Sequence, residues 1–283
     1  MILFTIIPLF LIGYFAFTDV SGNFTVANVE QAGKYLPALV KSISLAAIAT
    51  VLCLVLAYPF AFSMSRLSFA RQKMMSMLIM LPMWMNFLLR TYAWQAILED
   101  NGVINTLLNS VGLSSVKLIN TSGAVVLGMV YNYIPFMILP RYSVMTKIDK
   151  SVIEAASDLG AGFFATLYRV LLPLSMPGIV SGTTMVFVPA VSTFVISGML
   201  GGVNNYLIGD LIETQFLGNS YDLNCGSATS LLLMVVVLIT MAIFNHFSDE
   251  DAEEALVCQN AEEIFRAYTS PSCSFSCICL FLC

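Results

Sequence analysis

Few residues in this chain carry groups able to make or break a covalent bond, and their placing limits what chemistry is open to it. The one histidine, His246, stands at the end of an apolar run, where an interfacial anchor is its ordinary use. No His-Glu-x-x-His, Gly-x-Ser-x-Gly or Gly-x-x-x-x-Gly-Lys-Ser/Thr stretch occurs, so zinc-peptidase, serine-hydrolase and nucleotide-cradling chemistry lack their residues. Five of the seven cysteines fall between Cys258 and Cys283, but Cys273, Cys277, Cys279 and Cys283 lack the Cys-x-x-Cys spacing of a zinc or redox site. The expectation is no catalysis, no metal and no cofactor. What remains is polarity set inside apolar runs: Trp84, Asn86 and Arg90, then Tyr131, Asn132 and Tyr133, with Tyr206 and Asp210 in a later loop. Ring faces and carboxylates suit a cationic solute, and polar groups at membrane depth are candidates for a solute path. Arg90 is the exception, because a fixed cation repels a cation. A structural role is expected for it, by snorkelling or by pairing with Glu99 or Asp210, which leaves Asn86 as the better polar contact.

The elements that must position these residues are membrane spans. The 283 residues are 58% hydrophobic and 10% charged, with a mean hydropathy of +0.87, far from a soluble domain. A net charge of −5 argues against nucleic acid as a partner. About 20 apolar residues cross a bilayer, and the runs 1–17, 36–64, 74–98, 121–145, 173–200 and 227–247 read as about six transmembrane helices in an all-α membrane protein. A signal peptide is the alternative for the first run, which lacks a basic leader and a small-x-small cleavage site. Lys41 near the start of the second run is placed to snorkel, and Val103–Val111 reads as a short interfacial helix. Residues 1–247 read as one transmembrane domain. The tail, 248–283, is acidic and then cysteine-rich, and reads as disordered or divergent. The abrupt apolar start allows for an incomplete N-terminus.

The segment Ser151–Pro173 carries polarity of a different kind. Ser151 and Glu154 have the spacing of a capping box, which predicts a helix start. Val152, Ala155, Ala156 and Leu159 give that helix an apolar face, and Gly160 stands where a C′ glycine ends it. A second amphipathic run follows, with Phe163, Phe164, Leu167, Val170 and Leu171 on one side, and Pro173 closes it. Arg66, Arg71, Lys73, Arg141, Lys147, Lys150 and Arg169 lie in the loops on this side; Lys34 and Lys117 lie in the alternate loops. Cations gather on the cytoplasmic side, so the segment and both termini are expected there.

Glu154-Ala155-Ala156, Gly160 and Val170-Leu171-Leu172-Pro173 resemble the EAA loop of ABC importer permeases. The resemblance implies that this loop (146–172) is a cytoplasmic coupling element, with Ser151, Glu154, Ala155, Ala156, Asp158, Gly160, Leu172 and Pro173 at the ATPase contact. Further stretches, Asn86–Trp94, Tyr133–Ala161, Leu172–Gly182 and Gly201–Leu217, resemble the permease subunits of spermidine/putrescine importers, type B. They imply a type I importer fold, two copies of a cytoplasmic ATPase, a second permease subunit in a heterodimer, and an extracytoplasmic polyamine-binding protein. Glu99, Asp100, Asp210, Glu213 and Asp222 in the outer loops suit a polyamine. A permease for another small solute stays open, as does an ion-coupled secondary transporter, although the latter calls for mid-span acids and none is present.

Overall fold

The computed structural model describes residues 2–268 except 20, 21, 159, 203, 204, 219 and 220. The regular elements among them are helices: α1 (Ile2–Ala16), α2 (Ala27–Gly33), α3 (Leu36–Ser65), α4 (Phe69–Trp84), α5 (Phe87–Leu98), α6 (Val103–Ser110) and α7 (Ser122–Met145). Then come α8 (Lys150–Asp158), α9 (Phe163–Thr166), a π-helical turn (Leu167–Leu171), α10 (Leu172–Leu174), α11 (Met176–Val191), α12 (Val195–Leu200), α13 (Ile208–Leu217) and α14 (Leu223–Tyr268).

The core is the packing of α3, α7 and α11. On α3, Ala46, Ala49, Cys53, Ala57 and Ala61 follow one another at helical spacing and are wholly buried. Small side chains at that spacing let helices approach closely, which is how spans associate where lipid removes the hydrophobic drive. The opposite face of α3, with Ile48, Leu52 and Val55, is exposed and apolar. On α11, Gly178 and Gly182 bring backbone against α7, where a Cβ would meet the Arg141 Cα at 3.1 Å and the Met137 sulfur at 2.9 Å. Phe187 of α11 meets Phe244 of α14 edge-on at 5.6 Å. A smaller cluster of Ala16, Ala32 and Ala228 joins α1 and α2 to α14.

Several expected boundaries hold. Thr121 caps α7, its hydroxyl oxygen accepting the Ala124 N–H at 3.1 Å, and α6 forms where a short helix was expected. Others need correction. The third run is not one straight span, because α4 and the segment Phe87–Ser110 meet at 84°. Pro82 ends α4 within a turn, and Asn86 starts a new helix. The fifth run bends by 66° between Leu167–Leu174 and α11, then breaks again after Pro189, with α12 set apart. The Tyr131-Asn132-Tyr133 stretch and Pro135 lie within a continuous α7, since a proline removes one backbone donor and the helix continues around it. Three helices are long and apolar enough to cross a bilayer, or five if each bent pair is one span, among the described residues. With 15 residues, α1 is about 22 Å long, short of a full span. The last helix does not stop at Phe247 but runs on to Tyr268 through the acidic stretch; the remainder of the expected tail lies outside the described residues.

Candidate functional site

The helix α8 begins at Lys150, with the Val152 N–H donating to the Asp149 carbonyl at 3.3 Å. Ser151 therefore lies inside the first turn and Glu154 in the second, and the expected capping box does not form. The helix end is as expected. Gly160 takes φ +79°, and the Ala161 N–H donates back to the Ala156 carbonyl at 3.0 Å, the long bond of a Schellman stop. Ala156 is buried, whereas Ser151, Glu154, Ala155, Asp158 and Gly160 are exposed. This helix packs on α9 and otherwise presents its face outward. Beyond it, Thr166 and Leu171 are buried and Leu172 rests on the core, with Pro173 and Tyr168 exposed. One end of the segment is thus anchored in the bundle while the other projects.

The anchor continues inward through polar contacts. Ser175, wholly buried at the 66° bend, donates its hydroxyl to the Leu172 carbonyl at 3.0 Å and lies 3.4 Å from the Tyr58 hydroxyl. The Arg141 guanidinium sits 5.8 Å from the Tyr58 ring centre and donates through Nη1 to the Leu54 carbonyl at 2.8 Å. Its Nε and Nη2 have no hydrogen-bond partner among the described residues. Arg141 was counted among the loop cations, but α7 continues past it to Met145 and it is wholly buried inside the helix. The charge asymmetry survives with six cations against two.

At the other end of α3 and α7 a second polar cluster closes the loop before α13. The Asn205 Oδ1 accepts from Lys41 Nζ at 2.8 Å and Ser122 Oγ at 3.0 Å. Its Nδ2 donates to the Asn120 and Gly201 carbonyls at 3.1 and 3.0 Å. Asp210 is buried; its Oδ1 accepts the Ser197 hydroxyl at 2.9 Å and its Oδ2 the Leu207 N–H at 2.7 Å. Burial pushes its carboxyl up to about 6, against the opposing pull of those two donors. Lys41 bonds this loop and Asp210 fastens it, so neither is a free interfacial charge.

The other expected path residues do not converge. Trp84 is exposed at the end of α4, and the Asn86 Oδ1 accepts the Leu88 N–H at 2.8 Å as the cap of α5. Its side chain is exposed, so the cap leaves its remaining surface open. Asn132 is buried and donates to the Gly128 carbonyl at 2.9 Å, and Tyr133 donates to the Pro189 carbonyl at 3.3 Å. Tyr131 meets Trp94 edge-on at 5.3 Å on an open groove of about 750 Å³ between α3 and α7. Tyr206 is exposed near the Asn205 cluster. Arg90 is buried beside Phe87 and pairs with neither expected acid: Asp210 is engaged elsewhere, and Glu99 lies nine residues on, about 14 Å along a helix. Trp94, Asn205, Ser175 and Tyr58 were not singled out from sequence. Trp94 had a signal, an aromatic one turn after Arg90; the others depend on contacts between residues far apart in the chain. No group of three His, Cys, Asp or Glu side chains able to hold a metal occurs among the described residues.

An all-helical bundle with a projecting, glycine-stopped helix between two spans is the architecture of a transporter's membrane subunit. Residues 54–249 match the family described as the binding-protein-dependent transport system inner membrane component, and the chain belongs to that family. It is a non-catalytic, multi-pass membrane subunit. The chain is 38% identical over 254 residues to the spermidine/putrescine transport system permease protein PotB of Haemophilus influenzae, covering 86% of this chain and 88% of that one. It is 39% identical over 212 residues to PotB of Escherichia coli, covering 74% and 77%. In fold it is similar to a bacterial ABC transporter involved in import of the acidic polysaccharide alginate, with a TM-score of 0.74 at 16% identity, covering 88% of this chain and 91% of that one.

Proposed function

We propose that this chain is the type B permease of an ATP-driven importer for polyamines such as spermidine and putrescine. It acts with a sister permease, two copies of a cytoplasmic ATPase and an extracytoplasmic binding protein. The observation that carries the coupling role is the geometry of α8: it is exposed along Ser151, Glu154, Ala155 and Asp158, stopped sharply at Gly160, and joined at Leu172 to the packed core. A helix held at one end and free on its outer face turns motion of a docked ATPase into motion of α11. The bend at Ser175 is where that motion enters the bundle. Identity near 40% to permeases named for spermidine and putrescine supports the solute class.

The coupling role is tested at Gly160. A β-branched residue at φ +79° costs about 1–2 kcal/mol locally, although a Cβ there meets open space. Gly160→Val in the reconstituted importer is expected to reduce polyamine uptake per ATP hydrolysed at least several-fold while leaving membrane insertion unchanged. Uptake per ATP equal to that of the unchanged chain counts against the docking role.

A further inference from the structure

A second groove, of about 490 Å³, opens between the end of α11, α13 and α14. Its walls are apolar, including Ile212, Leu233 and Val237, with the rings of Phe194 and Phe216 along it. Glu213 is its one charged lining residue. That carboxylate is exposed, has no hydrogen-bond or ion-pair partner among the described residues, and adds its negative charge to that of nearby Asp210. The loop from 201 to 226 that contains α13 has no Lys or Arg to neutralise it. On α14 the groove runs from Ser230 to Val237, about 10 Å of helix.

An open, mostly apolar groove with a single carboxylate in its lining complements a molecule that is itself an alkyl chain interrupted by ammonium groups. The methylenes bury against Ile212, Leu233 and Val237, the ring faces accept a cation, and the carboxylate takes a terminal ammonium by a charge-assisted hydrogen bond. We infer that this groove is a subsite for a linear aliphatic polyamine, with Glu213 receiving its terminal ammonium. This rests on the polyamine reading above and adds to it a place on this chain, away from Trp84, Tyr131 and the α3–α7 groove. An acyl chain alone has no use for the carboxylate; a lipid amine does, and the test separates the two.

The complete importer is reconstituted in vesicles, and uptake of radiolabelled spermidine is read together with ATP hydrolysis at saturating binding protein. Glu213→Gln, a change at an exposed side chain, is expected to lower uptake per ATP about ten-fold, the loss of one charge-assisted hydrogen bond. Glu213→Asp is expected to recover most of it. Unchanged uptake per ATP in Glu213→Gln overturns the inference. So does a loss seen only in vesicles containing phosphatidylethanolamine, which assigns the groove to a lipid amine. An unchanged importer that moves neither spermidine nor putrescine overturns the polyamine reading itself, a result distinct from any effect of Glu213.

Discussion

Arg141 is the most costly residue in the bundle: a guanidinium wholly buried among α3, α7 and α11, with one of its donors on the Leu54 carbonyl and two nitrogens unmatched. No acid offsets its desolvation among the described residues. Replacing even a buried ion pair with apolar side chains of similar volume is commonly neutral or stabilising by about 1–4 kcal/mol, and a buried charge without an acid has less attraction to lose. Arg141→Met is therefore expected to keep or raise the thermal midpoint of the purified importer in detergent, while Arg141→Ala, which leaves a cavity, lowers it. A fall with methionine as large as with alanine would show that the guanidinium is satisfied by something its visible contacts do not reveal. Arg90 poses a smaller version of the same question beside Phe87.

Among the elements, the loop between α12 and α13 is the clearest case of an arrangement that titrates. Asp210 ties Ser197 to Leu207, and its neighbour Ile208 donates its N–H to Ser42 at 2.9 Å on α3. Because burial raises this carboxyl to about 6, the folded loop binds a proton more tightly than the unfolded chain, whose aspartate titrates near 3.9. The resulting stability is fully present below the unfolded value and is lost as pH rises through about 6. The thermal midpoint is expected to fall as pH is raised from 5 to 7.5, and Asp210→Asn is expected to flatten that part of the dependence. An unchanged slope in the asparagine variant would place the titration elsewhere. The α8 segment, proposed for coupling, is governed by conformation instead: its stop at Gly160 depends on backbone angle, and its anchor on the burial of Leu171.

For the molecule as a whole, sidedness is the consequence that can be measured most directly. The cation count, six against two once Arg141 is recognised as buried, supports the proposed cytoplasmic side for α8. A cysteine introduced as Glu154→Cys, in a chain otherwise free of reactive thiols, is expected to react with an impermeant maleimide in inside-out vesicles and not in right-side-out cells. Labelling from the outside would reverse the topology and remove the ATPase from reach. On the proposed orientation the Asn205 cluster and the Glu213 groove would lie on the outer side, where the proposed binding protein would deliver solute.

Hydropathy alone made the membrane class legible, because a run of about 20 apolar residues has few stable places other than a bilayer; it did not fix the count, since six runs read as spans and three helices, or five with the bent pairs, are long and apolar enough among the described residues. The Gly160 stop was legible as well, since a left-handed residue after a short helix is a local demand that glycine meets. The 84° break at Met85 and Asn86, the burial of Asn132, Tyr133 and Asp210 within this chain, and the burial of Arg141 were not legible. Each depends on which helix lies opposite, and that is decided only when α3, α7 and α11 pack. Composition and spacing determined that this chain crosses a membrane and carries a short, glycine-stopped helix between two spans; tertiary packing decided which polar groups, like Asp210 and Arg141, became buried structure and which, like Glu213, stayed exposed.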